Sequence, residues 1–95
     1  MLLRIWEYDV LPGRETEFEQ VYGSAGAWAQ LFARSTGYVS TELYREVDRP
    51  GRYLTVDRFS DPDSWQRFLS EHGEDYADLD SRCAQLTTSQ VEIHR

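Results

Sequence analysis

Lysine and asparagine are absent from this sequence, and cysteine occurs once. Without Lys, Schiff-base and lysine-nucleophile chemistry are excluded. Without Asn there is no N-glycosylation acceptor and no asparagine amide to hold an oxyanion. With Cys83 alone, no intrachain disulfide can form, and a structural zinc site built on several thiolates is excluded. Positive charge is scarce as well: 10 basic residues, all Arg, stand against 17 acidic ones, for a formal charge of −7. A protein that grips phosphates carries a basic patch, so neither nucleic acid nor an anionic membrane surface is an expected partner. Long apolar runs are missing too. The opening Met1-Leu2-Leu3-Arg4 turns polar at once, and nothing approaches the roughly 20 apolar residues of a membrane span. The cytoplasm is the expected location.

What the sequence has in surplus is aromatic rings: three Trp, six Tyr and four Phe among 95 residues. A chain of this length makes one small domain, residues 1–95, with a thin core. Such a core does not hide so many rings. Some are expected to line a pocket or a subunit interface, where Tyr and Trp can keep one end wet.

Periodicity and punctuation give the elements. Leu2 to Val10 alternates, with Leu3 and Ile5 on one face and Trp6, Tyr8 and Val10 on the other. Large apolar groups on both faces imply that both are covered, one by helices and the other by a partner subunit. Leu11-Pro12-Gly13 is a turn signal. Arg14 to Tyr22 reads as a helix that buries Phe18, Val21 and Tyr22 and carries its stripe on to Ala25. A second helical piece, Ala25 to Arg34, offers Trp28, Leu31 and Phe32, with Gly37 as its cap. Tyr38 to Arg45 and Arg52 to Phe59 form a hairpin around Asp48-Arg49-Pro50-Gly51. Asp61 caps the next helix, Pro62 suits its first position, and Trp65, Phe68, Leu69 and His72 share one face. His72-Gly73 breaks it. A further helix from Glu74 to Leu86 presents Tyr76, Leu79 and Cys83, and Gln90 to His94 is the last strand. The order β-α-β-β-α-β, with each helix in two pieces, predicts an α+β, ferredoxin-like fold: an antiparallel sheet with helices on one face.

Candidate chemistry follows from these placements. Trp65 and Phe68 are either ordinary core or the lid of an apolar cavity closed below by Trp6 and Tyr8 and walled by Trp28 and Phe32. His72 ends the apolar stripe beside a glycine; its imidazole either serves as a proton acceptor or sits half-exposed at a helix end, favoured there by the dipole. No further residues at metal-ligand spacing accompany it, and His94 lies at the terminus, so no metal site is expected. Glu7 and Asp57 fall in strands expected to be neighbours. Together they would form an acid/base pair; apart, each would pair with an Arg such as Arg4, Arg45 or Arg58, or reach solvent. Cys83 reads as a small core residue.

The opening strand runs into Leu11-Pro12-Gly13-Arg14 and a helix rich in Glu and Phe (Glu15, Glu17, Phe18). Gly37-Tyr38 enters a strand. Tyr53-Leu54-Thr55-Val56-Asp57-Arg58-Phe59 is followed by Ser60-Asp61 and a helix bearing Trp65, then His72 and Tyr76. Over almost its whole length the chain thereby resembles the antibiotic biosynthesis monooxygenase domain family. That resemblance implies a homodimer, the dimeric α/β barrel, with two sheets face to face and one pocket per subunit between sheet and helices. It also implies oxidation of phenols or quinols by molecular oxygen without a cofactor, the substrate's own carbanion meeting oxygen. A haem-degrading branch uses an Asn on the first strand, a helix Trp and a helix His. Only Trp65 matches that set, so haem is not expected.

The leading reading is therefore a cofactor-independent monooxygenase acting on a small aromatic hydroxyl or quinol-type compound. Trp6, Tyr8, Trp28, Phe32, Trp65, Phe68 and Tyr76 would form its pocket, and His72 would accept the proton. The alternative is a non-catalytic protein of the same fold that binds a small apolar ligand or serves a stress response. A third reading assigns the aromatic surplus to a dimer interface and leaves no pocket.

Overall fold

The structure, a computed structural model, describes residues 1–93; His94 lies outside the described residues. Four strands, β1 (Leu2–Val10), β2 (Tyr38–Arg45), β3 (Arg52–Phe59) and β4 (Thr87–Ile93), form one sheet in the order β2-β3-β1-β4. All three pairings are antiparallel. Helices α1 (Glu15–Tyr22), α2 (Ala27–Phe32) and α3 (Pro62–Cys83) pack on one face. This is the ferredoxin-like α+β arrangement expected from the sequence. Among the described residues no helix is long and apolar enough to cross a membrane.

Strand register decides what each face carries. Arg4 lies opposite Asp57, Trp6 opposite Thr55 and Tyr8 opposite Tyr53, so these side chains share the face turned to the helices. The intervening Leu3, Ile5 and Glu7 point the other way, to a face on which Leu3 is 45% exposed. Phe18, Phe59 and Phe68 have no exposed surface and centre the core. Each contributes about 1.5–3 kcal/mol through burial.

Three details depart from the sequence reading, and the break at His72-Gly73 is not one of them. Helix α3 kinks there as expected, where His72 leaves helical geometry (φ −129°, ψ 18°), and its second piece runs on to Cys83. Each half has its own apolar face, Trp65 and Phe68 in the first and Leu79 and Cys83 in the second, and one non-helical residue lets both meet the core. A 3-10 turn, Ala84–Leu86, then stops the helix, and the Leu11 N–H donates to the Leu86 carbonyl (2.9 Å). Hence β4 begins at Thr87 rather than Gln90. Ala25 is exposed, because α2 starts only at Ala27 after the turn at Gly23 to Gly26. Gly37 is not a helix cap: Ala33 ends α2. Gly37 is instead a point of close approach, where an added Cβ would stand 2.1 Å from Ser64 Oγ. That approach seats the start of β2 against the first turn of α3. Asp61 caps this turn as the sequence predicts, its Oδ1 accepting from Ser64 N (2.7 Å) and Ser64 Oγ (2.8 Å).

Candidate functional site

Between the sheet and the helices lies a cavity of about 90 Å³, several times the space one water needs. Its floor is the sheet: Trp6 and Tyr8 of β1, Thr41 of β2, Thr55 and Asp57 of β3. Tyr22 of α1, Trp28 and Phe32 of α2 and Tyr76 of α3 form the walls. Asp80 and Gln90 are exposed lining residues, so the mouth lies between α3 and β4. The rings brace one another. Trp28 meets Tyr76 edge-on at 5.3 Å and tilts against Phe32 at 5.7 Å, so the walls are fixed by ring packing.

Polar atoms are few here and not all are satisfied. Trp28 Nε1 and Thr55 Oγ1 are buried without a hydrogen-bond partner among the described residues. Each lies near a phenol, Trp28 by Tyr22 and Thr55 by Tyr8, close enough to ease its ionisation slightly. Neither closes a hydrogen bond of normal geometry with it. Buried polar groups are nearly always bonded, and orphaned ones in a cavity wall are free to bind a ligand. Burial still dominates at both phenols and holds Tyr8 and Tyr22 well above the usual tyrosine range.

Asp57 is the buried carboxylate of the floor, 8% exposed. Thr41, its partner in the β2–β3 register, donates to Oδ1 at 2.7 Å, and the Tyr38 hydroxyl donates to Thr41 Oγ1 at 2.8 Å. Burial pushes the Asp57 carboxyl up to about 6; the Thr41 bond and the more distant charge of Arg4 pull it partly back. Arg4 faces Asp57 across the ladder yet does not bond to it. Its Nε donates to Glu92 Oε2 (2.6 Å), and its guanidinium lies 4.2 Å from the Trp65 ring centroid.

Of the residues singled out in the sequence, Trp6, Tyr8, Trp28, Phe32 and Tyr76 line the cavity. Trp65 and Phe68 lie one layer behind it. Trp65 stacks on Phe68 at 5.4 Å, and both abut Phe32. His72 is half-buried, its ring 5.6 Å from Phe68, and it is not part of the lining. The α3 bend falls on His72 itself. Glu7 and Asp57 are on opposite faces, because Glu7 pairs with Leu54 and Arg4 with Asp57. They form no acid/base pair. Glu7 accepts from Arg52 on the outer face, while Asp57 has no ion-pair partner within bonding distance among the described residues. Cys83 is buried, and burial raises its thiol. Among the described residues no group of three or more His, Cys, Asp or Glu is placed to hold a metal ion.

Sequence reasoning missed Tyr22, Thr41, Thr55, Asp80 and Gln90 as lining residues. The available signal was in β3: Tyr53, Thr55, Asp57 and Phe59 share one face, and two polar residues between aromatics on a buried face mark a cavity rather than a packed core.

Comparison with known proteins came to the same fold. Residues 1–78 match the family model described as antibiotic biosynthesis monooxygenase. Over 61 residues the chain is 34% identical to deoxynogalonate monooxygenase of Streptomyces nogalater; the match takes in 64% of this chain and 49% of that protein. The chain thus spans about half the length of this relative. Among solved structures, SnoaB of Streptomyces nogalater, described as a cofactor-independent oxygenase and seen in a mutant form, superposes with a TM-score of 0.74. It is 26% identical, with 98% of this chain and 90% of that one covered. A structure from Bordetella bronchiseptica superposes with a TM-score of 0.68 at 22% identity, covering 98% and 94% of the two chains. At that identity the likeness speaks for the fold alone.

Proposed function

Because the chain belongs to the antibiotic biosynthesis monooxygenase family, we propose that it is a cofactor-independent monooxygenase acting on a small aromatic hydroxyl or quinol-type compound. The observation that carries this reading is the cavity itself, ringed by Trp6, Tyr8, Trp28, Phe32 and Tyr76, with unsatisfied polar atoms and the buried carboxylate of Asp57 set among the rings. Aromatic walls suit a planar aromatic substrate. The polar atoms suit its hydroxyl or carbonyl oxygens. Similarity to a cofactor-independent oxygenase supports the same reading. The balance for a phenol is one oxygen molecule in, one oxygen atom built into the quinone and the other released as water, with the substrate supplying all four electrons.

The test is oxygen uptake by the purified protein against anthrones and naphthoquinols, with and without a chelator. Uptake that the chelator does not touch is the expected result. Tight binding of these compounds with no oxygen consumed would replace the reading with that of a ligand-binding protein, for which the orphaned Trp28 Nε1 and Thr55 Oγ1 already speak. The same reading includes a second copy of the chain on the outer sheet face, where Leu3, Tyr44 and Val91 are about half exposed. Sedimentation that gives a single-chain mass at every concentration would remove that part.

A further inference from the structure

We propose that Asp57 is the general base of the cavity and that Thr41 and Tyr38 orient it, an assignment that rests on the oxygenase reading above for its chemistry. Three observations carry it. First, the carboxylate is on the cavity floor, on β3, one of the two inner strands of the sheet, and is buried. Second, its two oxygens are differently engaged. Thr41 fixes Oδ1 from the neighbouring strand, with the Tyr38 hydroxyl behind it, and no described residue hydrogen-bonds Oδ2. One oxygen is held and the other is left for a ligand. Third, the cation that ought to neutralise Asp57 is occupied elsewhere. Arg4 is its direct cross-strand neighbour, yet Glu92 and the Trp65 ring hold the guanidinium.

The charged and titratable groups facing Asp57 are few. Arg4 and Tyr8 come from β1, Tyr22 from α1, Tyr38 from β2, and Tyr76 and Asp80 from α3; Glu92 of β4 acts through Arg4. Burial outweighs them and leaves a carboxyl that titrates near 6. A base in that range is better matched to a phenolic proton than an ordinary aspartate and is still ionised at neutral pH.

Asp57 takes the phenolic proton, and the phenolate carries carbanion character at a ring carbon. That carbon passes electrons to oxygen, a C–O bond forms, and Asp57 returns its proton to the peroxide. Asp57 then removes the proton from the same carbon as the O–O bond breaks. The carbonyl forms, and the departing hydroxide takes the proton from Asp57 and leaves as water. Asp57 ends as it began.

The experiment has two arms, so that failure of the base assignment and failure of the oxygenase reading are told apart. In the first, Asp57→Asn, which keeps an acceptor for Thr41, is compared with the parent for oxygen uptake on anthrone. A loss of roughly 100-fold or more in kcat is expected; an unchanged kcat overturns the proposal. In the second, calorimetric binding of 2-naphthol, which needs no turnover, is followed from pH 4.5 to 8. The parent is expected to show a step in affinity with its midpoint near 6, and Asp57→Asn none. Because the Thr41 bond holds the carboxyl down, Thr41→Val is expected to move the midpoint upward. A purely structural Thr41 would lower affinity without moving it. A parent without the step, or a step that survives in Asp57→Asn, overturns the assignment even if no compound of the panel consumes oxygen.

Discussion

The two faces of the sheet handle charge in opposite ways. On the outer face the charges are paired: Arg52 with Glu7 and Asp9 (2.9 Å to Asp9), and Arg58 with Glu42. These pairs are partly wet, so each adds little to stability. Cross-strand charge pairs of this kind favour the right register more than they hold the fold together. On the inner face a dense aromatic cluster excludes water; Arg4 and Glu92 pair at its margin, and Asp57 is left without a bonded cation. The same residue type is inert where it is paired and hydrated, and reactive where it is buried and kept from its neighbour. Reactivity here is a matter of which face a strand position points to.

Three outcomes would sharpen or break this contrast. The largest effect is expected inside. Phe68→Ala empties the fully buried layer behind the cavity and should cost about 3–5 kcal/mol in denaturant unfolding; a loss below 1 kcal/mol would mean that the inner face is not the stabilising one. Next comes Asp57. Its folded pKa lies above the ordinary value of 3.8, at about 6. Folding therefore favours the protonated acid: its full contribution is present below the unfolded pKa and is lost as pH rises through about 6. Asp57→Asn should accordingly match the parent near pH 3.5 and exceed it by up to about 3 kcal/mol above pH 7. Equal stabilities at pH 8 would show that the carboxylate is not strained by burial. The smallest effect is expected outside. Leu3→Glu, on the exposed face and across from Arg58, should change unfolding of the single chain by no more than about 0.5 kcal/mol. By sedimentation, it should drive any dimer formed through that face apart.

The fold was largely legible because its signals are local. Alternation in Leu2–Val10 and in Arg52–Phe59, the Pro-Gly turn between β2 and β3, and the Asp61-Pro62 cap each act over a few residues, and each element forms where these signals place it. The site was legible only in its aromatic half. Trp6, Tyr8, Trp28, Phe32 and Tyr76 stand out in a sequence because large rings in a small chain must go somewhere. Thr41, Thr55 and Gln90 do not, since nothing about a threonine in a strand says that a cavity lies above it. His72 drew attention by its chemistry and its place beside Gly73, but the bend at its own backbone set its ring against Phe68 instead. Asp57 and Glu7 could be judged only once register was known: a shift by one residue exchanges the inner and outer faces of a strand.

Arg4 joins three strands without belonging to the cavity. It sits on β1, answers to Glu92 on the edge strand β4, and lies within electrostatic reach of Asp57 on β3. The proton affinity of Asp57, raised chiefly by burial, is therefore lowered a little from the sheet's margin. With β4 paired to β1, Glu92 and the Trp65 ring hold the cation off Asp57, so a strand at the edge of the sheet leaves a carboxylate near its centre without a bonded counter-charge.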